Sequence, residues 1–198
     1  MQIFLRLFVG VKYFNKEVLK KHKQFIIISN HNSHLDTLAL MAVIPFRHLV
    51  NTHPVASIEY FGKTPLRAFI TRLLTNAILI PNTITGREPD SINMMKECLK
   101  NGQSLIFFPE GSRGEPEKMS EFKKGIGNII KSNPNIPCIP VFIKGLGKVL
   151  PKGKILFVPF DSYVVFGETE FYQSGNPESI TLQIENEVKN LSKKVSVI

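Results

Sequence analysis

Cysteine is scarce in this sequence. Only Cys98 and Cys138 are present, each inside an apolar stretch. No C-x-x-C spacing occurs, so reduced, buried thiols and a cytosolic setting are expected rather than a disulfide framework. Histidine is nearly as sparse, with five residues, and only His31 and His34 lie close together. No long hydrophobic run is present either. The opening M-Q-I-F-L-R-L-F-V-G-V-K-Y-F is interrupted by Arg6 and Lys12 and falls far below the roughly 20 residues of a spanning helix. It also lacks the basic start and small-residue cleavage site of a signal peptide. Internal repeats, low-complexity segments and linkers are absent. Acidic residues are outnumbered, 16 against 25 basic ones.

What remains is an ordinary globular composition. With 198 residues, 43% hydrophobic and 21% charged, the chain has enough material for one core and a single domain. The formal net charge of +9 points to a polyanionic partner: nucleic acid, an anionic membrane face or an acidic protein. Many basic domains are simply soluble. On a helical wheel, Ile3, Phe4, Leu7, Val11 and Phe14 share a face, with Gln2, Arg6, Lys12 and Lys16 on the other side. Lys20, Lys21 and Lys23 follow. This predicts that residues 1–24 form an amphipathic helix lying in a membrane interface. The same helix packed on the core is the alternative. The main domain is then 25–198.

Strand and helix patterns alternate along that domain. Strands are predicted at 25–29, 54–57, 77–80, 105–108, 139–143, 155–158 and 163–166. Helices are predicted at 35–44, 66–74, 92–100, 122–131 and from 176 to about 193. The 66–74 helix gathers Leu66, Phe69, Ile70, Leu73 and Leu74 on one face. Asn176-Pro177-Glu178 is a good helix start, with a cap, a first-turn proline and an acid. The expectation is an α/β fold, a largely parallel mixed sheet flanked by helices.

Residues 30–37 read N-H-N-S-H-L-D-T. On a continuous helix His31 and Asp36 would point about 140° apart. They can meet only if His31 precedes the helix and Asp36 lies in its first turn. Ser33 followed by Asp36 has capping-box spacing, which supports that break. His31 then falls in a strand-to-helix turn at a sheet end, where α/β folds place their sites. In the plainer reading, Asp36 merely caps a helix and His31 is a loop residue. As a metal site, His31, His34 and Asp36 make an incomplete ligand set. The stretch is similar to the His-x-His-x-Asp-His run of metallo-β-lactamase-like hydrolases, but its first spacing differs and its last position is Thr37. No metal is expected.

A second stretch, F-P-E-G-S-R-G-E-P-E, follows the strand at 105–108. Glu110-Gly111-Ser112-Arg113 can therefore face the same sheet edge as His31. Ser112 does not fit a nucleophile elbow: the spacing is one residue short and all five histidines precede it. Gly62-Lys63-Thr64 does not complete a phosphate loop, since Ser57 replaces its first glycine and Pro65 follows at once. An arginine beside a glycine turn remains, with Lys123 and Lys124 nearby. Arginine offers a rigid fork for phosphate oxygens and lysine a point charge.

These residues resemble the glycerolipid acyltransferase family typified by lysophosphatidic acid acyltransferase. Its Asn-His-x-x-x-x-Asp block is similar to Asn30-His31 through Asp36. Its Phe-Pro-Glu-Gly-Thr/Ser-Arg block is similar to Phe108 through Arg113, followed by Phe122-Lys123-Lys124-Gly125. Its Ile/Val-Pro-Val strand matches Ile139-Pro140-Val141. Order and spacing agree across most of residues 25–145. The second block departs: Asn82 stands where the family has an arginine, with Arg87 five residues on as a substitute. Ser57 replaces a basic residue after the second strand. Both departures bear on the acceptor head group more than on the reaction.

The resemblance implies transfer of a fatty acyl group from a thioester to a lysophospholipid hydroxyl, most simply that of 1-acylglycerol-3-phosphate. The donor is acyl-CoA or acyl carrier protein, and no cofactor is needed. His31 is the implied general base and Asp36 its orienting acid. Arg113 with Lys123 or Lys124, and Arg87, would bind acceptor phosphate. Gly111 lets the backbone approach the ligand, Ser112 belongs to the same block, and Glu110 orients Arg113 or contacts the acceptor. Leu38, Met41, Phe107 and Phe108 are candidates for an acyl groove or for the core. The enzyme is expected to be peripheral, monotopic on the cytosolic membrane face, with an anionic membrane surface as partner. The alternatives are a different lysolipid acceptor, or a non-catalytic basic module binding anionic lipid or nucleic acid. The aromatic interleaving of a single-strand nucleic-acid groove is not visible, so no nucleic-acid partner is expected.

Overall fold

The computed structural model describes residues 10–62, 64–81, 90–115, 117–149 and 160–195. Seven strands form its sheet: β1 Val11–Phe14, β2 Ile26–Ser29, β3 Thr52–Ser57, β4 Ile78–Ile80, β5 Ser104–Phe107, β6 Cys138–Lys144 and β7 Ser162–Phe166. Their order is β1-β7-β6-β2-β5-β3-β4. Neighbours run parallel except β6 and β7, which are antiparallel. The predicted largely parallel, mixed α/β sheet is therefore present. The predicted strand at 155–158 lies outside the described residues.

The three isoleucines of β2 show how the sequence makes the core. Successive strand side chains point to opposite faces. Ile27 joins Ile106, Ile139 and Val141 under helix His34–Met41, with Leu40 and Met41 packed on them. Ile26 and Ile28 join Leu105 and Cys138 on the other face, against helices Asp90–Lys100, Gly125–Lys131 and Pro177–Val195. A strand covered on both faces reads as a continuous apolar run, which is how β2, β5 and β6 appear in the sequence. Burial pushes the Cys138 thiol pKa up, while Cys98 is half-buried.

The amino-terminal expectation needs correction. Residues 1–9, with Ile3, Phe4 and Leu7, lie outside the described residues. Val11–Phe14 is not helical but a strand paired with β7, and Lys16–Lys20 is a single 3-10 turn. Val11 is buried, and Val18 and Leu19 are fully buried. Residues 11–24 thus belong to the domain itself. Helix periodicity over 11–14 loses to strand pairing because β7 offers an open edge and Val11 a core side chain.

One consequence of strand direction organises the molecule. β2, β3, β5 and β6 are parallel, so Asn30, Ile58, Phe108 and Gly145 all leave from one edge of the sheet. β7 runs against β6, and β1 runs with β7, so both begin at that same edge.

Candidate functional site

The site is built on this carboxyl edge. Ser33 is the N-cap of helix His34–Met41, and the capping box with Asp36 predicted from spacing is present. Asp36 is fully buried. Its Oδ2 accepts from the backbone N–H of Asn32 at 2.7 Å and of Ser33 at 2.8 Å. The third partner of the same oxygen is His31 Nδ1 at 2.9 Å. A carboxylate that accepts two amide protons is an acceptor toward the ring as well, so Nδ1 donates and Nε2 keeps its lone pair. The cap and the pair are thus one arrangement, not competing readings. The His31 ring lies against Phe108 with centroids 4.1 Å apart and planes 21° from parallel. One face of the imidazole is packed and its side chain remains 17% exposed.

Two asparagines hold the turn. Asn30 is buried and extends β2 by one side chain: its Nδ2 donates to Ile143 O at 2.8 Å and its Oδ1 accepts from Ile143 N at 2.7 Å. Asn32 Nδ2 donates to Glu115 O at 2.7 Å and Lys118 O at 3.0 Å. Neither asparagine was singled out as more than part of a motif. Their signal is chemical: an amide offers both donor and acceptor where a ladder ends.

Glu110 is also buried, and burial raises its pKa against the opposing effect of its hydrogen bonds. The expectation was that it orients Arg113 or touches the acceptor. Its oxygens accept backbone N–H groups, of His31 at 2.8 Å and Ser120 at 2.9 Å. It clamps the two loops to each other. Gly114 N donates to His31 O at 3.0 Å and completes the join. Gly111 has φ +75°, and an added Cβ would lie 2.5 Å from Lys123 Nζ. Glycine suits the left-handed turn, and the flexible end of Lys123 lies across it.

The cations separate. Lys123 reaches the Gly111 turn. Lys124 pairs with Glu178 at 2.5 Å, at the start of the carboxy-terminal helix. Arg113 lies over the Tyr60 ring at 5.1 Å, and Tyr60 Oη is 3.5 Å from His34 Nε2. Tyr60, on helix Ile58–Phe61, went unnoticed in the sequence. Ser112 is exposed. Arg87 and Asn82 lie outside the described residues. Of the proposed groove residues, Met41 and Phe108 sit in the core, Phe107 packs against the opposite face, and Leu38 is half-buried. Among the described residues no His, Cys, Asp or Glu cluster could hold a metal, and no helix is long and apolar enough to cross a membrane.

This geometry can remove a proton from a hydroxyl at His31 Nε2 while Asp36 stabilises the imidazolium. It presents Arg113 and Lys123 on the adjoining turn for an anionic group. Comparison with known proteins bears on the family. The chain is 27% identical over 134 residues to a chloroplastic 1-acyl-sn-glycerol-3-phosphate acyltransferase of Brassica napus, covering 65% of this chain and 35% of that protein. It is 26% identical over 169 residues to a 1-acyl-sn-glycerol-3-phosphate acyltransferase of Bacillus subtilis, covering 85% and 77%. The chain thus spans about a third of the plant relative's length. The crystal structure of the 1-acyl-sn-glycerophosphate acyltransferase from Thermotoga maritima superposes with a TM-score of 0.77 at 27% identity, over 98% of this chain and 76% of that one. The family described as Acyltransferase matches residues 10–144, from before β1 to the end of β6, and the chain belongs to that family.

Proposed function

We propose that the chain is an O-acyltransferase that moves a fatty acyl group from a thioester, on CoA or acyl carrier protein, to the hydroxyl of a lysophospholipid. The observation that carries this reading is the His31–Asp36 pair, 2.9 Å apart and roofed by Phe108. A thioester is already activated, so no protein nucleophile is needed. His31 Nε2 takes the hydroxyl proton as the acceptor oxygen attacks the thioester carbonyl. The tetrahedral intermediate then expels the thiolate, which takes the proton back from Nε2 as a free thiol. A positioned base contributes about 10²–10⁴-fold.

The acceptor is 1-acylglycerol-3-phosphate or a lysolipid bearing a comparable phosphate. Arg113 and Lys123 supply its charge partners; Lys124, held by Glu178, is a poorer candidate. The enzyme works as a peripheral, monotopic protein on the cytosolic membrane face. A purely binding, basic module would use the +9 charge but has no need of an aligned histidine and buried aspartate.

The test is a panel crossing several lysolipids with acyl-CoA and acyl carrier protein, read as released thiol and new phospholipid. The reading predicts equal amounts of both for at least one phosphate-bearing lysolipid. Thiol release that does not depend on the acceptor would make the protein a thioesterase instead.

A further inference from the structure

The helix Pro65–Thr75 is built inside out. Its half-buried side is Ala68, Thr71 and Thr75, all small. Its other side carries Leu66, Phe69, Ile70, Leu73 and Leu74, which are 43% to 70% exposed. Their spacing makes one continuous apolar stripe. Soluble monomers seldom expose such a stripe, and one rimmed by polar residues marks an interaction surface.

Charge indicates what covers it. From Tyr60 to Arg87 the sequence has four basic residues, Lys63, Arg67, Arg72 and Arg87, and no carboxylate. Arg72 is exposed on the helix, and Arg113 lies over Tyr60 beyond its first turn. An apolar stripe with exposed Arg72 beside it and no acid on its own helix fits anionic lipid. A second copy of the chain would set these cations against one another with no acid on the segment to pair them. Position agrees with charge. Ile70 and Thr71 meet His34, Tyr60 and Phe61 around a pocket of about 210 Å³, open to solvent at the site. β1 begins at the same edge, and the residues before it read M-Q-I-F-L-R-L-F-V.

We propose that the helix Pro65–Thr75 docks on an anionic lipid bilayer through its Leu66–Leu74 stripe, with the amino-terminal end of the helix toward the His31 edge. The link to catalysis rests on the acyl-transfer reading; the docking itself is read without turnover.

The chain has no tryptophan, so Phe69→Trp and, separately, Phe46→Trp each provide a single fluorophore. Phe46 is 86% exposed, on helix Phe46–Leu49 just before β3 and so at the opposite edge of the sheet. Each variant is mixed with phosphatidylglycerol vesicles without acyl donor or acceptor. Emission of Phe69→Trp should shift to the blue and be quenched when the vesicles carry brominated acyl chains, while Phe46→Trp should not respond. Adding Leu73→Glu to Phe69→Trp should weaken vesicle affinity about tenfold, as charge opposes burial in lipid, with an unchanged thermal melt. No shift at position 69, equal quenching at both positions, or unaltered affinity with Leu73→Glu overturns the proposal. So does a shift that follows protein concentration without vesicles, since a second copy would then cover the stripe. None of these readings depends on acyl transfer, so failure of docking and failure of catalysis are separate results.

Discussion

The turn at His31 and the helix Pro65–Thr75 invert the usual partition of side chains in opposite directions. At the turn, Asn30, Asn32, Asp36 and Glu110 are polar and buried. On the helix, five large apolar residues are exposed. Buried polar groups are mostly hydrogen-bonded; here most of the bonds go to backbone N–H and C=O groups at a strand end, with Asp36 Oδ2 also on the His31 ring and Asp36 Oδ1 left without a partner. A contiguous exposed apolar stripe, unlike a single exposed residue, marks a surface that something else covers. Local rules tend to be broken at functional places. The turn lies at one edge of the sheet, and the helix ends beside the start of β3 at the other, where Asn76 donates to Thr52 O. The difference separates a fixed ring, which the proposed chemistry needs, from an open surface, which the proposed docking needs.

The comparison breaks most severely if Asp36 is removed. Asp36→Ala leaves the His31 ring unoriented and two N–H groups buried without an acceptor, each costing about 1–3 kcal/mol. Turnover should fall by about 10²-fold or more, and the thermal melt should drop with it. A dead variant with an unchanged melt would mean that Asp36 does not also hold the turn.

The amino-terminal segment sharpens the same contrast. Deleting residues 1–14 removes β1 and buried Val11, so stability should fall and activity on a soluble short-chain acceptor should fall with it. Deleting residues 1–9 should spare that activity and weaken only vesicle binding. Vesicle co-sedimentation beside a thermal melt distinguishes them, and equal melts for the two truncations would contradict the strand's role.

Arg113→Ala should mainly raise the apparent acceptor constant, by about 1.5–3 kcal/mol for a charged hydrogen bond. Arg113→Lys should recover part of it, since the fork is lost. Lys124→Ala should stay near wild type, because its exposed pair with Glu178 contributes about 0–1 kcal/mol. Acceptor titrations check all three, and a Lys124 effect as large as that of Arg113 would move the phosphate site. Arg87→Ala tests the remaining cation in the same assay; an unchanged acceptor constant would leave it a surface residue.

The smallest effect concerns Glu110. Burial raises its pKa in the fold. Below the unfolded value both states hold the proton and nothing is lost. As pH rises toward the raised folded value, the unfolded state ionises first and stability is lost. Melts of wild type relative to Glu110→Gln should therefore worsen as pH rises through that window. A difference independent of pH would show that the carboxyl is not held above its usual range.

Much of the fold was legible because β2, β5 and β6 are apolar runs and their helices carry 3.6-residue periodicity. The Ser33–Asp36 cap was legible because its signal spans four residues. β1 was not, because its partner lies some 150 positions away and its own residues also fit a helix wheel. The helix expected at 122–131 begins at Gly125. Phe122 N and Lys123 N are bonded elsewhere, to Glu185 Oε2 and Pro109 O. Glu110 and Lys124 were named from a motif, but their partners come from Ser120 and Glu178, which no local pattern links to them. The stripe on Pro65–Thr75 was legible as a face, but that it points outward was not, because periodicity does not say which side of a helix meets the core.

The most direct test of the account compares turnover of His31→Ala with that of His34→Ala, on the best substrate pair and at equal folded fraction. His31 carries the aligned Nε2, whereas His34 touches Tyr60. The account predicts a loss of about 10²-fold or more for His31→Ala and a far smaller one for His34→Ala, with no effect of added chelator. Equal losses in the two variants, or activity abolished by chelator, would contradict it.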